Sequence, residues 1–214
     1  MVIAIDGPSG VGKSTVSRAV AARLGLAYLD TGSTYRAATL AIVRAGIDVE
    51  SESEILTELA EHSIDYTELG IMLDGTSVAF DVRSDDVTSN VSAVSAHPIV
   101  RSEIVHMQRQ WVDNVDDDAV VEGRDIGTVV FPDAPLKIYL TASPLVRAQR
   151  RSGDAEADGK SVADIASAIE ARDHADSTRK TSPLRPAGDA VIIDTSHLTI
   201  DEVVQEIIDR VPTI

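Results

Sequence analysis

The chain has 214 residues, a formal net charge of −16 and no cysteine. That length can bury a good core in one domain with elaborations, and the missing thiols exclude disulfides and Cys-ligated metal sites. The acidic balance argues against nucleic acid or an anionic membrane as partner. Lysine occurs only at 13, 137, 160 and 180, which leaves the other basic positions to arginine, the residue suited to forked contacts with phosphate or carboxylate.

Val2-Ile3-Ala4-Ile5 is a short apolar run of the kind buried on both faces of a parallel sheet. No apolar stretch approaches the length of a membrane span. A strand opening at residue 2 leaves no room for a secretory leader, so a cytoplasmic protein is expected. Asp6-Gly7-Pro8-Ser9-Gly10-Val11-Gly12-Lys13-Ser14-Thr15 follows, with Gly7, Gly12, Lys13 and Ser14 in the fixed places of G-x-x-x-x-G-K-[ST]. Glycines let successive backbone N–H groups turn inward on a polyphosphate. Lys13 supplies a mobile charge, and the Ser14 hydroxyl is placed to ligate Mg²⁺. Val16, Ala19, Val20 and Leu24 then recur at helical spacing before Gly25. Strand, glycine loop and helix together aim a helix N-terminus at an anion. Residues Gly7 to Thr15 are the candidate nucleotide-binding set.

Leu26 to Leu29 predicts a second buried strand, and Ser33 to Ala45 a helix that ends at Gly46. Thr31, Tyr35 and Arg36 then sit near the strand's carboxyl edge, where open α/β sheets bind ligands. Ser51 and Glu54 read as a capping box. Ile71-Met72-Leu73, Asp74-Gly75 and Val78, Phe80, Val82 predict a hairpin whose second strand alternates. Helices are predicted over 89–96 and 99–112, with Pro98 in the first turn of the second. Strands follow at 119–121, 136–140 and 190–193. A helix from about Pro144 carries Arg147, Arg150 and Arg151 ahead of a polar segment to Gly159. Two more helices are predicted, over 161–172 and from a cap at Thr199–Glu202. The fold class is α/β: a five-stranded parallel sheet flanked by helices, with a small antiparallel insertion.

These residues resemble a family, the bacterial cytidylate kinases. The resemblance is carried by Asp6-Gly7-Pro8-Ser9-Gly10, by Asp30-Thr31-Gly32 with Tyr35-Arg36, by Gly123-Arg124-Asp125-Ile126-Gly127-Thr128-Val129-Val130-Phe131-Pro132-Asp133-Ala134, and by Arg172, Asp176 and Arg179. It implies one P-loop kinase domain over 1–214, with a core, a nucleoside-monophosphate-binding insertion over about 32–98 and a short lid over about 150–160. It further implies ATP as phosphoryl donor, Mg²⁺ as cofactor, CMP and dCMP as acceptors, and a monomer.

Carried over position by position, Arg36, Arg124 and Arg179 match acceptor-phosphate arginines. Ser92, Arg101 and Asp125 match the base-reading positions, and Arg172 and Asp176 the ribose-side pair. Thr31 stands where the family often has Ser and keeps the hydroxyl. Glu122 stands where a shorter Asp is common, and would reach Mg²⁺ through water. Phosphoryl transfer needs charge neutralisation and positioning, which assigns Lys13, Arg124, Arg147, Arg150 and Arg151 as the catalytic set.

Plainer alternatives stand beside these. Arg101 and Arg109 fit a solvated helix face, Arg124 with Asp125 fits a structural ion pair, and Trp111 fits helix packing. The five histidines at 62, 97, 106, 174 and 197 show no metal or triad spacing. Another acceptor, such as AMP, UMP or a metabolite, and a nucleotide-gated switch protein are the competing functional classes.

Overall fold

The computed structural model describes residues 1–153, 159 and 161–212. It divides into two compact units, Met1–Asp30 with Val112–Ile214, and Thr31–Trp111.

The first unit is built on a parallel sheet of five strands in the order β2-β6-β1-β7-β8. These are β1 (Val2–Asp6), β2 (Ala27–Asp30), β6 (Ala119–Gly123), β7 (Leu136–Thr141) and β8 (Val191–Asp194). Every residue of β1 is buried, as a central strand with helices on its faces requires. Register aligns the carboxyl ends: Asp6 lies opposite Gly123 and Tyr139, and Asp30 opposite Glu122. Helices α1 (Lys13–Leu24), α6 (Pro144–Ser152), α7 (Val162–Thr178) and α8 (Ile200–Ile208) belong to this unit. Val16 and Val20 of α1 and Val203, Val204 and Ile207 of α8 join Ile3, Ile5, Ile138 and Leu140 in one core cluster. Each such fully buried side chain stabilises by roughly 1.5–3 kcal/mol. Gly25 ends α1 in the left-handed conformation, and Thr199 with Glu202 forms the expected capping box on α8.

The second unit holds α2 (Thr31–Ala45), α3 (Glu52–Ala60), α4 (Asp85–Val94) and α5 (Pro98–Asp113), with the antiparallel strands β3 (Ile64–Thr67), β4 (Gly70–Leu73) and β5 (Thr76–Ser77). Its core gathers Tyr35, Ala38, Ile42, Ile55, Val91, Val94, Val100 and Ile104. The Asp74-Gly75 turn has positive φ at both residues, 51° and 72°, as a type I′ hairpin needs.

Four local expectations are corrected. The alternation of Val78, Phe80 and Val82 is not a strand: Val82 N–H bonds Val78 C=O at 3.0 Å in a helical turn. Val78 and Val82 are buried four residues apart, while Phe80 is 90% exposed. Ser51 precedes α3 but makes no side-chain cap, because its ψ of 83° turns the hydroxyl off the axis that the caps at Ser84 and Ser161 adopt with ψ near 157° and 155°. Helix α4 begins four residues ahead of the expected start, where the Ser84 hydroxyl accepts from Val87 N–H. Helix α7 runs on to Thr178, so Arg172 and Asp176 are helical and Arg179 is its C-cap. The segment expected as a lid lies mostly outside the described residues.

Candidate active site

The site in the first unit is built around the loop that leaves the central strand. Gly7 has φ 152°, and a Cβ there would meet the Leu140 carbonyl oxygen at 2.3 Å, so only glycine lets the loop cross β7 this closely. Gly12 has φ 92° and precedes α1 directly, so the loop's backbone runs into the N-terminus of a helix.

Four cations brace the loop through its carbonyls. Lys13 Nζ donates to Gly7 C=O and Pro8 C=O, both at 2.8 Å. Arg124, one residue past β6, donates through Nη1 to the same Gly7 oxygen at 2.9 Å and pairs through Nε with Asp176 Oδ2 at 3.1 Å. Arg147 donates to Ser9 C=O at 3.1 Å. Arg150 reaches Val11 C=O at 3.2 Å while holding the Thr195 hydroxyl at 2.8 Å and carbonyl at 2.6 Å. Arg150 is thus anchored to the loop and to Thr195, just past the end of β8. Arg151 follows it on α6, half-buried.

The charges of this cluster perturb one another. Lys13 is pushed down to about 7, first by burial and then by Arg124, while Glu122 and Asp6 oppose the shift. Glu122 is pushed up to about 7, first by burial and then by Asp30, its neighbour across the β2–β6 register. Tyr28 donates to Glu122 Oε1, and the Ser14 hydroxyl also bonds that carboxylate. A hydroxyl and a buried carboxylate side by side form a hard-oxygen donor set that suits Mg²⁺. Among the described residues no group of three or more His, Cys, Asp or Glu side chains could hold a metal. The ion would therefore draw its remaining ligands from water and from phosphates.

Asp6 went unassigned in the sequence. Its carboxylate accepts from Ile126 N–H and Gly127 N–H, each at 2.8 Å, and burial raises it to about 6. This fixes the single π-type turn Ile126–Val130 that follows Asp125. Asp125, buried, faces Arg179 at 3.8 Å, and Arg124 pairs with Asp176, so the plainer alternative of an Arg124–Asp125 ion pair gives way to these two. Asp176 also meets Arg179 at 3.6 Å. Arg172 lies on α7, half-buried, close enough to Lys13 to depress its proton affinity. Asp173, its neighbour, also escaped the sequence reading. The one signal for it was helical phase: it is three residues before Asp176 and so shares that face.

The second unit carries Thr31, Tyr35, Arg36, Ser92 and Arg101. Thr31 opens α2 and is buried. Arg36 Nη1 donates to Val82 C=O at 2.8 Å and to the Thr88 hydroxyl at 3.0 Å. Arg101 is only 3% exposed, donates to Ser95 C=O at 3.1 Å, and lies with its guanidinium 5.1 Å from the Tyr35 ring centre. A solvated-face role is excluded for Arg101, whereas Arg109 is exposed. Ser92 is half-buried on α4. Trp111 packs: its indole N–H donates to Tyr66 C=O at 2.6 Å and its ring meets Tyr66 edge-on.

A buried parallel strand, a glycine loop closed by lysine and serine, and a helix N-terminus define a P-loop nucleotide-binding protein. Solved structures agree on the fold: TT1252 from Thermus thermophilus superposes with TM-score 0.53 at 18% identity, covering 100% of this chain and 98% of that one. An uncharacterized protein from Eubacterium ventriosum gives 0.53 at 13%, covering 98% and 96%. The family model for cytidylate kinase matches residues 3–213, and the chain belongs to that family. A cytidylate kinase of Streptomyces avermitilis is 51% identical over 99% of this chain and 92% of its own length. That of Corynebacterium efficiens is 50% identical over 97% and 93%. No helix among the described residues is long and apolar enough to cross a membrane.

Proposed function

We propose that this chain transfers the γ-phosphoryl group of ATP to CMP and dCMP, giving CDP and dCDP. The observation that carries the proposal is the family match along residues 3–213, joined to a loop that Lys13, Arg124 and Arg147 all brace. Two polyanions repel, so transfer between them needs several fixed cations around the moving group. Lys13, Arg124, Arg147, Arg150 and Arg151 are the cations proposed for this task, with Gly7 to Thr15 holding the donor phosphates. The attacking phosphate oxygen of CMP is already ionised, so no general base is required.

Ser14, and Glu122 through water, are the proposed holders of Mg²⁺, which when bound neutralises charge on the donor phosphates. Arg36, Arg124 and Arg179 are assigned to the acceptor phosphate, with Thr31 and Tyr35 beside Arg36 on α2. Arg172 and Asp176 are assigned to the ribose, and Asp125, Ser92 and Arg101 to the base. A carboxylate accepts from the N4 amino group of cytosine, and a guanidinium donates to N3 and O2. The Thr31–Trp111 unit is the proposed monophosphate-binding insertion, somewhat longer than the 32–98 expected. A cytoplasmic monomer remains the expectation.

Separate calorimetric titrations with ATP, ADP, CMP, UMP and AMP test the assignment. Binding of ATP and of CMP, with UMP and AMP weaker, is expected. Adenine-nucleotide binding with no CMP affinity would favour a switch protein or a kinase for another acceptor.

A further inference from the structure

Asp173 lies outside every set that the family motifs assign, yet its carboxylate bonds the phosphate loop directly. Its Oδ1 accepts from Ser9 N–H at 3.0 Å and faces Arg124 Nη1 at 3.5 Å. Its Oδ2 accepts from Arg147 Nη1, the same nitrogen that donates to Ser9 C=O. One carboxylate therefore holds a loop N–H and the two arginines that grip the loop's Gly7 and Ser9 carbonyls. Its side chain is 16% exposed, so these contacts are screened less than surface pairs. Asp173 stands next to Arg172 and three residues before Asp176, which places the loop's clamp and the α7 cluster on one helix face.

A negative charge beside an anion-binding loop weakens ground-state attraction for phosphate, so its presence needs a compensating effect. That effect is geometric. A guanidinium held on a fixed carboxylate keeps one direction, whereas a released one can fold onto whichever phosphate oxygen is nearest. We infer that Asp173 is a positioning residue: it fixes Arg147, Arg124 and the Ser9 peptide for transfer, at the expense of tighter nucleotide binding. The inference rests on the P-loop kinase reading above.

Removing the charge should move affinity and turnover in opposite directions. Binding strength rises because Arg147 and Arg124 face the loop uncompensated, and turnover falls because their placement is lost. In Asp173→Asn, the Kd for Mg·ADP is expected to drop by about threefold to tenfold, and kcat for CDP formation to fall by about tenfold or more. Asp173→Ser should show the same pair of changes, and Asp173→Glu, which keeps the charge, should bind Mg·ADP about as the parent does. A purely structural role would weaken affinity and turnover together and lower the melting temperature.

The measurements are calorimetry with Mg·ADP, steady-state CDP formation and thermal melting. Unchanged or weaker ADP binding in Asp173→Asn overturns the inference, as does failure of both Asp173→Asn and Asp173→Ser to fold. A parent protein that does not bind Mg·ADP would instead overturn the P-loop kinase reading, before any variant is compared. A parent that binds Mg·ADP but forms no CDP overturns only the acceptor assignment, and the ADP shift still decides the role of Asp173.

Discussion

Lys13 and Arg124 donate to the same backbone oxygen: the Gly7 carbonyl lies 2.8 Å from Lys13 Nζ and 2.9 Å from Arg124 Nη1. Two cations so close repel, which is one reason that the Lys13 ammonium loses its proton more readily than an exposed lysine. A bound polyphosphate would relieve that repulsion by drawing both charges to itself. Lys13→Ala is therefore expected to lower kcat by at least ~10², the effect of removing one preorganised donor. Because Lys13 is only partly buried, the fold should survive, with an unchanged circular-dichroism spectrum. A folded Lys13→Ala protein with near-normal CDP production would remove Lys13 from the mechanism.

The same depressed titration makes nucleotide binding pH-dependent. With Lys13 near 7 in the free protein, a phosphate anion beside it raises its proton affinity, so binding takes up a proton above neutrality. Titration of ADP without Mg²⁺ at pH 8, in buffers of different ionisation enthalpy, should show uptake approaching about one proton per site. Affinity should fall as pH rises above 7. Lys13→Met should abolish uptake. Uptake that persists in Lys13→Met would place the titrating group elsewhere.

Asp6 gives a stability prediction. Asp6→Ala leaves the buried N–H groups of Ile126 and Gly127 without their acceptor, which should cost about 2–5 kcal/mol in denaturant unfolding. The pH dependence has a definite sign. Folding raises the Asp6 carboxyl from 3.8 to about 6, so between those values the folded state binds more protons than the unfolded one. Its contribution therefore favours folding at low pH and is lost as pH rises through 6. Compared with Asp6→Asn, the parent should lose stability over that window. A flat difference would contradict the role of burial.

Most of the sheet was legible because each strand carries a short run of mostly apolar residues between turn signals. The loop and its flanks were legible because the glycine spacing leaves few alternatives. Val78 to Val82 misled because buried positions four apart fit both a strand's alternation and one helical turn, and only the exposure of Phe80 decides between them. Ser51 and Glu54 had the residues of a capping box without its backbone geometry, which no spacing reveals. Asp6 and Asp173 were missed for a common reason. Each acts on backbone N–H groups far away in sequence, 120 and 164 residues off, and such contacts leave no local pattern. The burial of Arg101 was not legible locally, since a lone arginine on a helix reads equally well as solvated.

Base selectivity is expected to reside in Asp125 with Arg101 and Ser92. Asp125→Ala should lower kcat/KM for CMP and dCMP far more than for UMP, because uracil offers the carboxylate an acceptor where cytosine offers a donor. Arg36→Ala should harm CMP and UMP about equally, since both carry the same phosphate. A proportional loss for every acceptor in Asp125→Ala would mean that Asp125 serves only to hold Arg179, which it faces at 3.8 Å.

An acceptor panel against Mg·ATP, read as products, decides whether this chain carries out the proposed transfer. CMP, dCMP, UMP, AMP and buffer alone would be incubated with the protein and the nucleotides resolved by chromatography. CDP and dCDP should accumulate with matching loss of ATP, far ahead of UDP or extra ADP from AMP, and with little hydrolysis in buffer alone. Steady ATP hydrolysis that ignores CMP, or preferred phosphorylation of AMP or UMP, would contradict the account.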